Sequence, residues 1–182
     1  MTIIVAQKTD SGVALAADNT MADGSRIIRK ANPKIVTITS RIAVGCAGLV
    51  RLGDVVRDPD RWPLYEHSDL PLFERKLGQF FRDLLKDEEH DTPFWAIVAV
   101  DQEIFYVGPG GSMARVDAPY CALGSAELVA LGALHVLHRH AGGTNPPTGE
   151  DARRRLVTAL EACAEHVEAI RPPWSFTETR VP

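Results

Sequence analysis

The chain has 182 residues, of which 45% are hydrophobic and 24% are charged, and its formal net charge is -4. This size and composition predict one globular domain over residues 1–182 with a full apolar core. Because 24 acidic residues outweigh 20 basic ones without a long basic run, and no apolar run approaches the length of a membrane span, nucleic-acid binding and membrane insertion are excluded.

The N-terminal quarter of the chain is predicted to be β-structure. Asp23-Gly24 is a hairpin-type turn signal, and Gly45 to Gly48 ends the group. Apolar and β-branched residues alternate or run together in the segments 2–8, 12–18, 25–30, 34–39 and 41–45.

Two helices are predicted next, one short with a weak apolar pattern and one longer with a clear pattern. A short one is indicated by the apolar residues at 50, 52, 55 and 56, before Pro59 and Pro63 interrupt the chain. The second, Leu72 to Lys86, has a clear apolar face at helical spacing. That face consists of Phe73, Leu77, Phe80, Phe81, Leu84 and Leu85.

The second half is predicted to repeat the order of strands followed by helices. Ser125 stands at the expected N-cap of a helix that ends near Gly142, and Thr148 or Gly149 could cap another that runs through Ile170. Residues 172 and 173 are prolines that stop this helix. The predicted strands are 94–100, 103–108, 113–118, 120–124 and 174–181.

This order of elements predicts an α+β fold. Two antiparallel sheets stacked on each other, each covered by helices on its outer face, would bury every apolar stripe. The predicted architecture is therefore a four-layer αββα sandwich.

The three cysteines, Cys46, Cys121 and Cys163, are widely spaced without a pattern. An odd number at such spacing indicates reduced thiols, as in cytoplasmic proteins, and no zinc-binding spacing is present. The N-terminus has no basic and apolar targeting segment. We therefore expect a cytoplasmic protein without a metal or other cofactor.

Thr2 is the most informative residue. Removal of Met1 would place a hydroxyl nucleophile and a free α-amine, with a reference pKa of about 7.7 to 8.0, on one residue. Such an amine can take the hydroxyl proton directly or through one water, so no histidine is required. The alternative is that Thr2 is an ordinary second residue.

The register of polar residues after Thr2 resembles that of the proteasome β subunits and their bacterial relatives of the HslV type, which are N-terminal nucleophile hydrolases. Asp18, Lys34 and Gly48 follow the threonine at intervals of 16, 32 and 46 residues. The segments GVALAAD, NPKIV and GCAG around them are similar to those of the family, as is YCALGS from Tyr120 to Ser125.

The resemblance implies a role for each of these residues. Thr2 would be the nucleophile, and Asp18 would hold Lys34, whose charge lowers the pKa of the terminal amine. The backbone N–H of Gly48 would stabilise the oxyanion, and Ser125 would support the nucleophile. Glu168 is the nearest match to an acid that eukaryotic and archaeal members place before the last strand, but their accompanying serine is missing.

The resemblance also implies a substrate pocket. Its wall would be mostly apolar, so the pocket should take an apolar or small residue and reject charge. Ala22 replaces a threonine whose backbone pairs with the substrate in the family. The implied substrate-binding residues are Met21, Ala22, Asn32, Val36, Cys46 and Val50.

The function implied by the resemblance is a threonine-type endopeptidase that cleaves unfolded proteins or peptides. It would assemble as stacked homo-oligomeric rings of six or seven subunits, with an ATP-dependent unfoldase as a candidate partner. Two alternatives stay open, a catalytically silent ring and an amidase for small molecules. Residues 135, 138 and 140 are histidines that could indicate a metal site, but a solvated helix end is the simpler interpretation.

Overall fold

The computed structural model describes residues 1–23, 26–29, 33–66, 69–86, 93–143 and 145–181. The helices are α1 (Val50–Val56), α2 (Leu70–Leu85), α3 (Glu127–His140) and α4 (Gly149–His166). The strands are β1 (Ile3–Lys8), β2 (Val13–Asp18), β3 (Thr20–Asp23), β4 (Arg26–Arg29), β5 (Ile35–Thr39), β6 (Ile42–Gly48), β7 (Phe94–Val100), β8 (Glu103–Val107), β9 (Met113–Val116), β10 (Tyr120–Gly124) and β11 (Trp174–Glu178).

Two antiparallel sheets form the centre of the molecule. The first has the strand order β10-β1-β2-β11, and the second has the order β5-β6-β7-β8-β9. Helices α3 and α4 cover the outer face of the first sheet, and α1 and α2 cover the second. The predicted four-layer αββα sandwich is confirmed, with β3 and β4 paired separately as an antiparallel hairpin.

Strand β1 is buried on both faces, which explains why it is apolar without alternation. Ile3 and Val5 pack under α3 and α4, whereas Ile4 and Ala6 pack between the two sheets. All four side chains are fully buried. Strand β1 therefore anchors the chain in the core from Ile3 onward.

Helix α2 packs its predicted apolar face on the second sheet. Phe73, Leu77 and Phe81 are buried there, next to Phe94 at the start of β7. The helix begins two residues before the predicted start, because the Asp69 carboxylate caps it by accepting a hydrogen bond from the Leu72 N–H at 2.8 Å.

Two predicted boundaries are wrong for identifiable reasons. Strand β6 continues to Gly48, since Gly48 still pairs with Phe94 across the sheet. Helix α4 ends at His166 and not at Ile170, because Val167 has an extended backbone. The Thr148 hydroxyl caps the start of α4, as predicted, by accepting from the Asp151 N–H.

Ser125 is not an N-cap. Helix α3 begins two residues later, with Ala126 at its N-cap position and no side-chain cap. Ser125 instead binds the residue that precedes β1, since its N–H donates to the Thr2 carbonyl at 2.9 Å. Within the described ranges, no helix is long and apolar enough to cross a membrane.

Truncation of Phe81 to alanine should lower the free energy of unfolding by about 3–5 kcal/mol, because it leaves a cavity between α2 and the second sheet. Phe80→Ala on the same helix is the matched control, and its half-buried ring should cost clearly less. Denaturant unfolding followed by circular dichroism measures both. Equal losses would contradict this assignment of the core face.

Candidate active site

The site is built around one buried ion pair. The Lys34 ammonium lies 2.8 Å from both carboxylate oxygens of Asp18. Asp18 is fully buried at the end of β2, and Lys34 is 6% exposed just before β5. The pair thus joins the end of β2, in the first sheet, to the residue that precedes β5, in the second.

Both oxygens of the Asp18 carboxylate are satisfied by further donors. Oδ1 accepts from the Ile3 N–H at 2.9 Å, and Oδ2 accepts from the Thr20 N–H at 3.2 Å. A buried charge without such partners would cost several kcal/mol, so this environment stabilises Asp18 as a carboxylate. The carboxylate in turn holds Lys34 in one position.

The third contact of the Lys34 ammonium is the Met1 carbonyl oxygen, at 3.1 Å. This oxygen belongs to the peptide bond that joins Met1 to Thr2. The ammonium therefore lies beside the nitrogen that would become the α-amine of Thr2 when Met1 is removed.

The backbone of Thr2 is held from the other side by β10. Its carbonyl accepts from the Ser125 N–H at 2.9 Å and from the Ser125 hydroxyl at 3.4 Å. Gly124 has a φ of +126°, and a Cβ there would lie 1.9 Å from the Thr2 oxygen. Only glycine allows this close approach.

A cavity of about 640 Å³ opens beside Thr2. Gly48 forms part of its wall with a φ of +102°, a conformation that an L side chain rarely adopts. A Cβ at this position would lie 1.7 Å from the Pro93 carbonyl oxygen. Other lining residues are Met1, Thr20, Lys34, Cys46, Ala47, Leu49, Val50, Gly53, Arg57, Trp95, Tyr106, Leu123, Gly124, Ser125 and Glu127.

Most of the predicted catalytic residues meet in this region. Thr2, Lys34, Gly48 and Ser125 line the cavity, and Asp18 lies behind Lys34. Glu168 is exposed in the turn after α4 and does not line the cavity. The structure therefore brings together every predicted catalytic residue except Glu168.

Only some of the predicted substrate-binding residues are seen to line the cavity. Cys46 and Val50 line the cavity, whereas Val36 packs against the core under α2. The side chains of Met21 and Ala22, and all of Asn32, lie outside the described residues.

Thr20 is a buried residue of the site that the sequence analysis missed. Its hydroxyl oxygen lies 2.5 Å from Asp18 Oδ2 and 2.8 Å from the Ala169 carbonyl oxygen. Thr20 therefore connects the ion pair to the turn that contains Glu168. Its position two residues after the buried acid was the available signal, since the two side chains of such a pair point to the same side of an extended chain.

Arg57 was missed as well. It follows α1 and lies seven residues after Val50, with Gly53 between them, so the three occupy one face at helical spacing. All three line the cavity. The predicted short helix contained this signal, but the sequence analysis used only its apolar residues.

The three cysteines do not offer an alternative nucleophile. Burial raises the pKa of the Cys46 thiol to about 12, although Arg57 opposes this effect, and burial raises the pKa values of Cys121 and Cys163 to about 11. A thiol is nucleophilic only as the thiolate. At neutral pH all three are therefore protonated and weakly reactive.

Two of the three histidines of α3 contact Tyr120. The His135 Nδ1 lies 3.0 Å from the Tyr120 hydroxyl, and the ring of His138 contacts the same tyrosine edge-on. In the part of the chain that the structure describes, no three histidine, cysteine or acidic side chains are grouped so that they could hold a metal ion.

Comparison with known proteins agrees with this geometry. The family model described as "Proteasome subunit" matches residues 2–58, which include Thr2, Asp18, Lys34 and Gly48. The resemblance to the proteasome β-subunit and HslV family is thereby confirmed for this segment, and solved structures extend it to the fold of the whole chain.

Three solved structures share this fold. Eukaryotic HslV from Trypanosoma brucei superposes with a TM-score of 0.76 at 15% identity, covering 98% of this chain and 99% of that chain. BPH from Thiobacillus denitrificans, in complex with epoxomicin, gives 0.74 at 19% identity and covers 99% of both chains. The Anbu (Gly-1) mutant from Hyphomicrobium sp. strain MC1 gives 0.71 at 11%, covering 99% of this chain and 82% of that chain.

Thr20→Val should destabilise the protein by about 1–3 kcal/mol, because it removes the buried hydroxyl whose single proton is shared between Asp18 Oδ2 and the Ala169 carbonyl oxygen. Thr20→Ser keeps the hydroxyl and is the matched control. Thermal unfolding of the two variants measures the difference. If Thr20→Val were as stable as Thr20→Ser, the hydroxyl would not matter to the ion pair.

The folded protein should react with a thiol reagent such as 5,5′-dithiobis(2-nitrobenzoate) at pH 8 at least about tenfold more slowly than the denatured protein. Cys121 and Cys163 are buried, Cys46 is half-buried, and the pKa values of all three thiols are raised. Absorbance of the released thiolate measures the rates. Fast modification of Cys46 in the folded protein would contradict the assignment.

Proposed function

We propose that this chain, with its proteasome-type fold, is a threonine-type endopeptidase whose nucleophile is the Thr2 hydroxyl after removal of Met1. The observation that carries the proposal is the position of the Lys34 ammonium, held by Asp18 and bonded to the carbonyl oxygen of Met1. Beyond its structural pairing with Asp18, this cation is placed to act on an amine at the future terminus.

The first step is proton transfer within one residue. The ammonium of Lys34 disfavours a second positive charge nearby, so it should lower the pKa of the free Thr2 amine and keep this amine neutral near pH 7. The neutral amine takes the proton of the Thr2 hydroxyl, directly or through one water, while Oγ1 attacks the carbonyl carbon of the substrate.

The second step is stabilisation of the charge that attack creates. The Gly48 backbone N–H, in the wall of the cavity beside Thr2, is the proposed donor to the oxyanion. A fixed backbone donor of this kind is worth about 2.7–4 kcal/mol in the transition state. The conformation that only glycine adopts readily at this position supports the assignment.

The remaining steps return the enzyme to its starting state. The protonated Thr2 amine gives its proton to the leaving nitrogen as the peptide bond breaks, which leaves an ester on Oγ1. The amine then takes a proton from a water molecule that attacks the ester. Breakdown of the second oxyanion releases the acid product and reprotonates Oγ1.

With Met1 present this cycle cannot begin. The nitrogen of Thr2 is then part of an amide and is not basic, and the Met1 carbonyl accepts the hydrogen bond from Lys34. We therefore expect the unprocessed chain to be inert.

We also propose that the chain assembles into stacked homo-oligomeric rings in the cytoplasm and cleaves unfolded proteins or peptides, with an ATP-dependent unfoldase as a candidate partner. Exposed apolar side chains support self-association, because such groups are costly in water unless a partner covers them. Leu64 and Leu128 are each 84% exposed, and Val136 is 52% exposed on the same helix as Leu128.

The decisive experiment is covalent labelling with epoxomicin, the ligand bound in the Thiobacillus denitrificans structure. Intact mass must first establish that the chain begins at Thr2. Wild type and Thr2→Ser should each gain one inhibitor at the first residue, whereas Thr2→Ala should gain none. Peptide mapping by mass spectrometry measures the site.

The same experiment separates the alternatives. Processed wild-type protein that stays unlabelled and cleaves no peptide library would favour a silent ring. An adduct on Thr2 together with turnover of small amides but not of peptides would favour an amidase.

A further inference from the structure

The cavity beside Thr2 has a cationic wall that the sequence analysis did not anticipate. Cys46, Gly53 and Arg57 line it on the side where α1 packs against β6. A Cβ on Gly53 would lie 3.9 Å from the Cys46 Cβ, so helix and strand are in ordinary contact here. Arg57 lies one helical turn beyond Gly53 on the same face.

The charge of Arg57 is only weakly compensated. Its Nη2 donates to the Pro33 carbonyl, which carries no net charge. Its Nε lies 4.0 Å from Oδ1 of Asp54, whose side chain is 63% exposed. Water screens exposed ion pairs of this kind, so Asp54 cancels little of the positive potential of the Arg57 guanidinium.

The field of Arg57 reaches into the cavity. Its side chain is 22% exposed, and its charge lowers the pKa of the cavity-lining Cys46 against the larger effect of burial. A guanidinium in a partly closed space attracts carboxylates strongly, because it offers several donors in a planar fork.

The other charged groups of the cavity do not cancel this effect. The ammonium of Lys34 is paired with Asp18. Glu127 lines the cavity too, but its charge acts on Tyr106 and Cys121, in β8 and β10, whereas that of Arg57 acts on Cys46 in β6. The part of the cavity along β6 and α1 is therefore electropositive.

This part of the cavity lies next to Gly48, two residues after Cys46 in β6. If the Gly48 N–H binds the oxyanion, the substrate residue that supplies the attacked carbonyl lies next to Gly48, within reach of the cavity wall formed by Cys46 and Arg57. We propose that Arg57 selects substrates in which this residue is aspartate or glutamate. The inference rests on the proposed function and replaces the expectation of a pocket that rejects charge.

Kinetics on two peptides that differ only in glutamate or glutamine at this residue test the inference. Processed wild-type protein should favour glutamate in kcat/KM, and Arg57→Met should reduce the ratio by about tenfold or more. Arg57→Lys keeps a cation and should retain part of the preference. Arg51→Met removes a cation from the same helix outside the cavity and should leave the ratio unchanged.

A binding measurement separates this inference from the proposed function. Thr2→Ala protein, with and without Arg57→Met, is titrated with fluorescent peptides that end in glutamate or in glutamine, the products of the two reactions. Tighter binding of the glutamate peptide, lost with Arg57, supports the inference even if epoxomicin labelling fails. Equal affinities overturn it even if Thr2 is labelled.

Discussion

The architecture depends on the ion pair between Asp18 and Lys34. The two residues come from different sheets, and each is so deeply buried that removal of its partner would leave an uncompensated charge at a cost of about 3–5 kcal/mol. The two charges meet only if the end of β2 lies next to the beginning of β5. Since the Ile3 N–H also binds Asp18, the same contact fixes the N-terminus of the chain. The ion pair therefore fixes both the packing of the two sheets and the position of Thr2.

Much of this arrangement could be predicted because periodic patterns and fixed spacing report on backbone position. The double burial of β1 was readable from its unbroken apolar run, and the register of Asp18, Lys34 and Gly48 after Thr2 located most of the site. Ser125 was misassigned as a cap because a serine before a helix has the same local signature whether it binds the helix or a distant strand. Only the tertiary contact with Thr2 distinguishes the two uses.

Arg57 and Thr20 show a second limit of the sequence. An arginine after a short helix is usually a solvated surface residue, and its helical spacing from Val50 and Gly53 shows a shared face but not that this face borders a cavity. Thr20 depends on the Ala169 carbonyl, 149 residues away, which no short-range pattern can reveal. Glu168 shows that a matching residue type at an approximate position does not determine where the side chain lies, since it does not line the cavity. Electrostatics of the site thus follows from packing between elements that are distant in sequence.

The gradient of exposure over the first three residues has a consequence for maturation. Met1 is 54% exposed and Thr2 is half-buried, whereas Ile3 is fully buried, pairs with Gly124 of β10 and donates its N–H to the Asp18 carboxylate at the end of β2. An aminopeptidase needs an accessible, extended end, so it can remove the methionine but meets a closed sheet at the next bond. If Met1 is removed in this way, as the proposed function requires, trimming would stop at Thr2, because the sheet blocks access to the bond that follows it.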